Sequence, residues 1–149
     1  MPSGYGWGST SLARLLTCDP LLVTLFQRAI KRADLRHDMT VVYGHRSNAE
    51  QAKLYAKGRT APGRVVTWSK PGQSRHNTSP SKAIDVVPYV GGKADPETWA
   101  NFHAIAPSIK AEWAAMVAEG LVPDGVTLEW GGDWQRKPDG AHWQVNGIG

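Results

Sequence analysis

The chain has 149 residues, 41% of them hydrophobic and 20% charged, with 17 Lys and Arg against 13 Asp and Glu for a net charge of +4. That is long enough to bury one core and short for two domains, and the scattered basic residues point to anionic polymers in general rather than to a nucleic-acid groove. A single cysteine, Cys18, excludes an internal disulfide framework or a Cys-rich metal site, and no apolar run nears the roughly 18 residues of a membrane span.

Residues 1–10, MPSGYGWGST, lack the basic start and apolar stretch of a secretory signal and read as a loose arm on a single domain spanning 1–149. Asp19-Pro20 is a capping acid followed by Pro at the first helical position. Leu21, Leu22, Leu25, Phe26, Ala29, Ile30 and Ala33 then mark one apolar helix face. Thr40 to Gly44 reads as a short strand, and Ser47-Asn48-Ala49-Glu50 as a capping box opening a helix to about Lys57. Gly58 to Thr78 is loop-like, with a brief strand expected at Val65–Trp68. Ala83 to Val90 is a strand. Asp95-Pro96 starts a helical region expected to break near Pro107 and resume to about Glu119, with Trp113, Met116 and Val117 inward. Thr127–Trp130 and His142–Val145 are two more short strands. This order implies α+β architecture, a small antiparallel sheet with helices packed on one side.

One residue in this pattern needs a reason. Asp85 interrupts the buried run Ala83-Ile84-Asp85-Val86-Val87, and an ionised carboxylate there is costly unless a positive group meets it. His76 and His142 suit it: imidazole and carboxylate are zinc donors, and a catalytic zinc site uses three protein ligands with one position left open. Asp139, on the turn Asp139-Gly140-Ala141-His142, is placed to act as general base toward an attacking water. Arg46, at the end of the first strand, offers positive charge for an oxyanion or a substrate carboxylate. Such spacing alone is a weak signal.

Three stretches together are more specific. They are Tyr43-Gly44-His45-Arg46-Ser47 with Glu50-Gln51 and Leu54 to Thr60; Ser74-Arg75-His76 leading to Ala83-Ile84-Asp85; and Glu129 to Trp134 followed by Asp139-Gly140-Ala141-His142-Trp143. In this order they resemble the zinc peptidases of the D-Ala-D-Ala carboxypeptidase and L-alanyl-D-glutamate endopeptidase group, phage endolysins included. The resemblance implies a hedgehog/DD-peptidase-like fold, Zn2+ on His76, Asp85 and His142, Asp139 as base and Arg46 at the scissile carbonyl. It also implies substrate contacts from Arg46, Gln51, Thr67 and Ser74. The Gly58-Arg59-Thr60-Ala61-Pro62-Gly63 stretch, with Val66-Thr67 after it, is closer to the L-alanyl-D-glutamate branch.

The implied activity is cleavage of the L-Ala–D-Glu bond in the peptidoglycan stem peptide. A D-Ala-D-Ala carboxypeptidase, or a non-catalytic zinc-containing wall-binding domain, are the alternatives. The expected partner is that stem peptide, with no nucleic acid and no stable membrane insertion, and the chain is expected to be a monomer. The endolysin analogy places synthesis in the host cytoplasm and action at the periplasmic murein of a Gram-negative host after holin-type release. One departure stands out: the family's commoner pattern is H-x-x-G-x-A-x-D, whereas Asn77 to Lys82 make this gap two residues longer. Ligation then requires the extra residues to bulge outward.

Other residues have plainer readings. His45 alternates to the strand face opposite Arg46, and His37 and His103 face solvent. Glu129 is the rival base, but lies in a strand and thirteen positions before His142. Asp133 suits a cap for the Gly131-Gly132 turn. Trp130, Trp134 and Trp143 either wall a cleft or pack in the core, the commoner fate. Thr67 and Ser74 either touch substrate or shape their loop, and Ser74 near His76 does not by itself make a nucleophile pair.

Overall fold

In the computed structural model, which describes residues 1–148, the carboxylate-bearing strand lies at the centre of an antiparallel sheet. The strands are β1 (Asp38–Tyr43), β2 (Ala83–Val90), β3 (Lys93–Ala94), β4 (Thr127–Trp130) and β5 (His142–Asn146). Their order is β1-β2-β5-β4, with β3 pairing the end of β2. The α-helices are α1 (Ser9–Leu15), α2 (Pro20–Ala29), α3 (Asn48–Ala56) and α4 (Trp99–Ala118). The architecture is therefore α+β, as expected. No helix among the described residues is long and apolar enough to cross a membrane.

The apolar faces explain the packing. Leu22, Leu25, Phe26 and Ala29 of α2 are fully buried, and the helix starts where the Asp19 carboxylate accepts from the Leu21 amide at 2.9 Å. It ends at Ala29, so Ala33 lies beyond it and is exposed. Cys18 is buried in the same core. Glu112 of α4, itself buried, accepts from Arg28 Nε at 2.8 Å and Arg32 Nη1 at 3.1 Å, tying α4 to α2.

Five expectations are corrected. Residues 1–10 are not loose: Ser3 N donates to Lys31 O and Ser3 Oγ to Ile30 O, Trp7 Nε1 donates to Phe26 O, and α1 begins at Ser9. Helix α4 starts at Trp99, because Asp95 instead closes a turn by accepting from the Glu97 and Thr98 amides. It also runs unbroken through Pro107. A helix-interior proline costs about 3 kcal/mol. Burial of Phe102, Ile105, Ile109 and Met116 at about 1.5–3 kcal/mol each outweighs it. Val117 is half exposed, although Met116 is buried and Trp113 partly so. Finally, Val65–Trp68 forms no strand; without a partner strand, Val66 and Trp68 stay largely in solvent.

Register then builds the site. Asp85 pairs across β2 with Tyr43 on one side and His142 on the other, while Ile84 pairs with Trp143. The pleat sends Ile84 and Trp143 into the core and Asp85 and His142 to the opposite face. The segment between His76 and Asp85 absorbs its extra length as an exposed Ser79-Pro80 turn, with Ser81 folding back to bridge Cys18. It bulges outward, as ligation requires.

Gly44 lies at a close approach, since a Cβ there would run into the Arg14 carbonyl and the Thr17 hydroxyl. Gly44→Ala is expected to destabilise the protein by about 2 kcal/mol, the usual scale of overpacking. A thermal melt checks this, and an unchanged midpoint would show that the approach is not tight.

Candidate metal centre and its cleft

Three donors converge from separate elements. His76 comes from a short 3-10 turn, Arg75–Asn77, opened by the Ser74 hydroxyl, which accepts from the His76 amide at 3.1 Å. Its ring Nδ1 donates to the Gly44 carbonyl at 2.8 Å, leaving Nε2 to face Asp85 Oδ1 at 3.2 Å. His142 approaches from the other side, its Nδ1 3.3 Å from the same oxygen. Its Nε2 donates to Gln144 Oε1 at 2.8 Å. One ligand atom from each of the three residues lies within 4.8 Å of the other two.

These spacings fit a small dication. Ligand bonds of about 2.0–2.1 Å in a tetrahedron separate neighbouring ligand atoms by about 3.3 Å. Both histidines also have a fixed outward partner, Gly44 O or Gln144 Oε1, which leaves the inward nitrogen free to ligate. The chain thus has a His76–Asp85–His142 group suited to a metal ion.

The electrostatics follow. Burial by itself would raise the Asp85 pKa, but the His76 and His142 rings beside it hold it far below the usual carboxylate range. For His142, burial pushes the pKa down and is outweighed by its hydrogen bond and charge interaction with Asp85, so the net shift is upward. Asp139 lies at the cleft edge. Although the residue as a whole is exposed, the protein gathered around it removes hydration and Asp85 adds like charge, which together raise its pKa.

Arg46 is buried beside the ligands. Its Nη2 lies 3.4 Å from Asp85 Oδ2, Nη1 donates to Gln51 Oε1 at 2.8 Å, and the guanidinium carbon sits 4.2 Å above the Tyr43 ring. Gln51 corrects an expectation, because it is fully buried and does not line the cleft. Its Nε2 donates to Thr67 Oγ1 and Ser69 O, so its place is behind Arg46, joining that residue to the 67–69 loop.

A cleft of about 470 Å³ gathers His76, Asp85, His142, Arg46, Asp139, Thr67, Ser74 and Trp134. Thr67 and Ser74 line it, and each accepts a local hydrogen bond that shapes its loop. The tryptophans divide: Trp130 and Trp143 are core, stacked at 5.5 Å, whereas Trp134 stands 5.2 Å from the His142 ring in the cleft wall. Glu129 does not line this cleft. Its carboxylate accepts from Trp134 Nε1 at 2.6 Å and Asn146 Nδ2 at 3.0 Å, beside a separate hollow of about 280 Å³ that lacks the three ligands. Asp133 pairs with Lys110 at 2.7 Å rather than capping the glycine turn. His45 donates to Thr78 O, a structural role, and exposed His103 packs edge-on against Trp130.

The support behind His142 is a chain of side-chain amides along β5. Gln144 Nε2 donates to Asn146 Oδ1, which also accepts from Arg75, and Asn146 in turn donates to Glu129. Alternation along β5 places His142, Gln144 and Asn146 on one face, a signal available in the sequence only once that face is known to be polar. Gln144→Leu is expected to weaken metal affinity about 10–100-fold with little loss of fold, measured by competition with a chelator. Asp85→Ala is expected to lose stoichiometric metal, and equal metal content in mutant and parent would contradict the ligand set. Because bound imidazole must be neutral, acidification through the raised pKa of His142 is expected to release metal. Metal content measured across a pH series checks the sign.

Known proteins resemble this chain over most of its length. The sequence model of the phage L-alanyl-D-glutamate peptidase family matches residues 3–146. The peptidoglycan L-alanyl-D-glutamate endopeptidase CwlK of Bacillus subtilis (strain 168) is 32% identical over 108 residues, which is 72% of this chain and 60% of that protein's length. The L-Ala D-Glu endopeptidase ChiX of Serratia marcescens superposes with a TM-score of 0.66 at 26% identity, over 95% of this chain and 91% of that one. The chain therefore belongs to the phage L-alanyl-D-glutamate peptidase family.

Proposed function

We propose that the protein is a zinc-dependent endopeptidase that cuts the L-Ala–D-Glu bond of the peptidoglycan stem peptide. The observation that carries this reading is the presence of Asp139 and Arg46 in the same cleft as the three convergent donors. A purely structural metal site needs neither. Two imidazoles and one carboxylate that line a cleft suit catalytic zinc, which takes three protein ligands. The named activities of CwlK and ChiX support the choice of bond.

Zinc, when bound, supplies Lewis acidity and lowers the pKa of a water to about 7. The chain's own residues do the rest. Asp139 takes the proton from the attacking water and returns it to the departing amine, a role its raised pKa suits. Arg46, held by Gln51 and Tyr43, directs positive charge at the oxygen of the scissile carbonyl as it becomes negative. Trp134 and the 65–69 loop wall the cleft on either side.

Digestion of purified sacculi followed by mass analysis is expected to expose new N-terminal D-Glu. Loss of terminal D-Ala alone would indicate a carboxypeptidase, and wall binding without cleavage a non-catalytic domain. Asp139→Asn is expected to retain about one equivalent of zinc while turnover falls about 10²–10⁴-fold, the usual span for losing a general base. Full activity in that variant would contradict the assignment.

A further inference from the structure

Lys137 is unusual in three ways that the proposed chemistry does not use. Its side chain reaches from the 134–139 segment to the opposite loop, where its Nζ lies 3.8 Å from the centre of the Trp68 ring, and both residues line the cleft. It is the one non-glycine residue with positive φ among the described residues, at φ 50, and Pro138 follows it. Left-handed backbone is unfavourable for a lysine, and a following proline further disfavours compact conformations, so the position is under constraint. Finally, no carboxylate among the described residues pairs with it.

The charge pattern of the cleft gives the cation a role. Its lining carries two acids, Asp85 and Asp139, and two cations, Arg46 and Lys137. Arg46 is buried and already engaged with Asp85 and Gln51. Lys137 is exposed, on a flexible stem, and steadied only by the face of Trp68, itself 60% exposed. A cation so placed is available to an incoming anion.

We propose that Lys137, seated on Trp68, is a specificity residue that binds the free α-carboxylate of the substrate's D-glutamyl residue. This rests on the proposed endopeptidase reading. D-Glu in the stem is joined onward through its side-chain carboxyl, so its α-carboxylate lies beside the scissile nitrogen. The acyl side offers only neutral amides. The cleft therefore distinguishes D-Glu from D-isoglutamine, its amidated counterpart, through Lys137.

The test uses the zinc-loaded full chain and two peptides, L-Ala-γ-D-Glu-diaminopimelate carrying an N-acylated Ala and the same peptide with D-isoglutamine. The parent is expected to favour the carboxylate peptide about tenfold in kcat/KM, mainly through KM. Lys137→Met is expected to treat both alike with unchanged zinc content and melting midpoint, whereas Lys137→Arg keeps most of the preference. Calorimetric binding of the same two peptides to Asp139→Asn gives a readout independent of turnover. Charge-dependent binding lost on Lys137→Met in that background supports the role of Lys137 even if neither peptide is cut, in which case the endopeptidase reading alone fails. A carboxylate preference that survives Lys137→Met, or no preference in the parent, overturns the inference.

Discussion

The structure turns on one carboxylate. Asp85 occupies a central strand where its neighbours Ile84 and Val86 are fully buried, and leaving a charge there unmatched would cost several kcal/mol. Three side chains supply positive or hydrogen-bonding character to it: His76 and His142 on one oxygen, Arg46 on the other. A dication bound by His76, Asp85 and His142 would complete that compensation. The sheet makes this possible by pairing Asp85 directly with His142, so two of the three donors are set by register. A one-residue slip of either strand would turn its donor into the core.

Support for the donors comes from backbone and amide groups that carry no net charge. Gly44 orients His76 through its carbonyl, and close contact with α1 makes glycine the residue that fits there. Gln144 orients His142, and Gln51 fixes Arg46 while tethering the loop that carries Thr67 and Ser69. Such neutral partners set ring and guanidinium orientation without competing with the metal for charge. The same division appears among the acids. Glu129 is consumed by Trp134 and Asn146, whereas Asp139 remains at the cleft edge.

Much of this was legible in the sequence, for identifiable reasons. The apolar spacing from Leu22 to Ala29 located α2, Ser47 to Glu50 located the start of α3, and Asp85 within an apolar run marked the point where the two imidazoles gather. Other features were hidden because long-range packing overrides local preference. Pro107 looked like a break, yet the burial of its neighbours holds α4 continuous. The first ten residues looked loose because glycine and serine carry no periodicity, yet Ser3 and Trp7 bond to the end of α2. Gln51 looked like a substrate contact and proved to be a buried brace. Lys137 gave no signal, since neither its backbone conformation nor its seat on Trp68 can be read from neighbouring letters.

One ion is expected at one position. A crystal of the zinc-loaded protein, measured on both sides of the zinc absorption edge, should show a single strong anomalous peak about 2.0–2.1 Å from His76 Nε2, Asp85 Oδ1 and His142 Nδ1. A peak held by other side chains, or none at that centre, would contradict it.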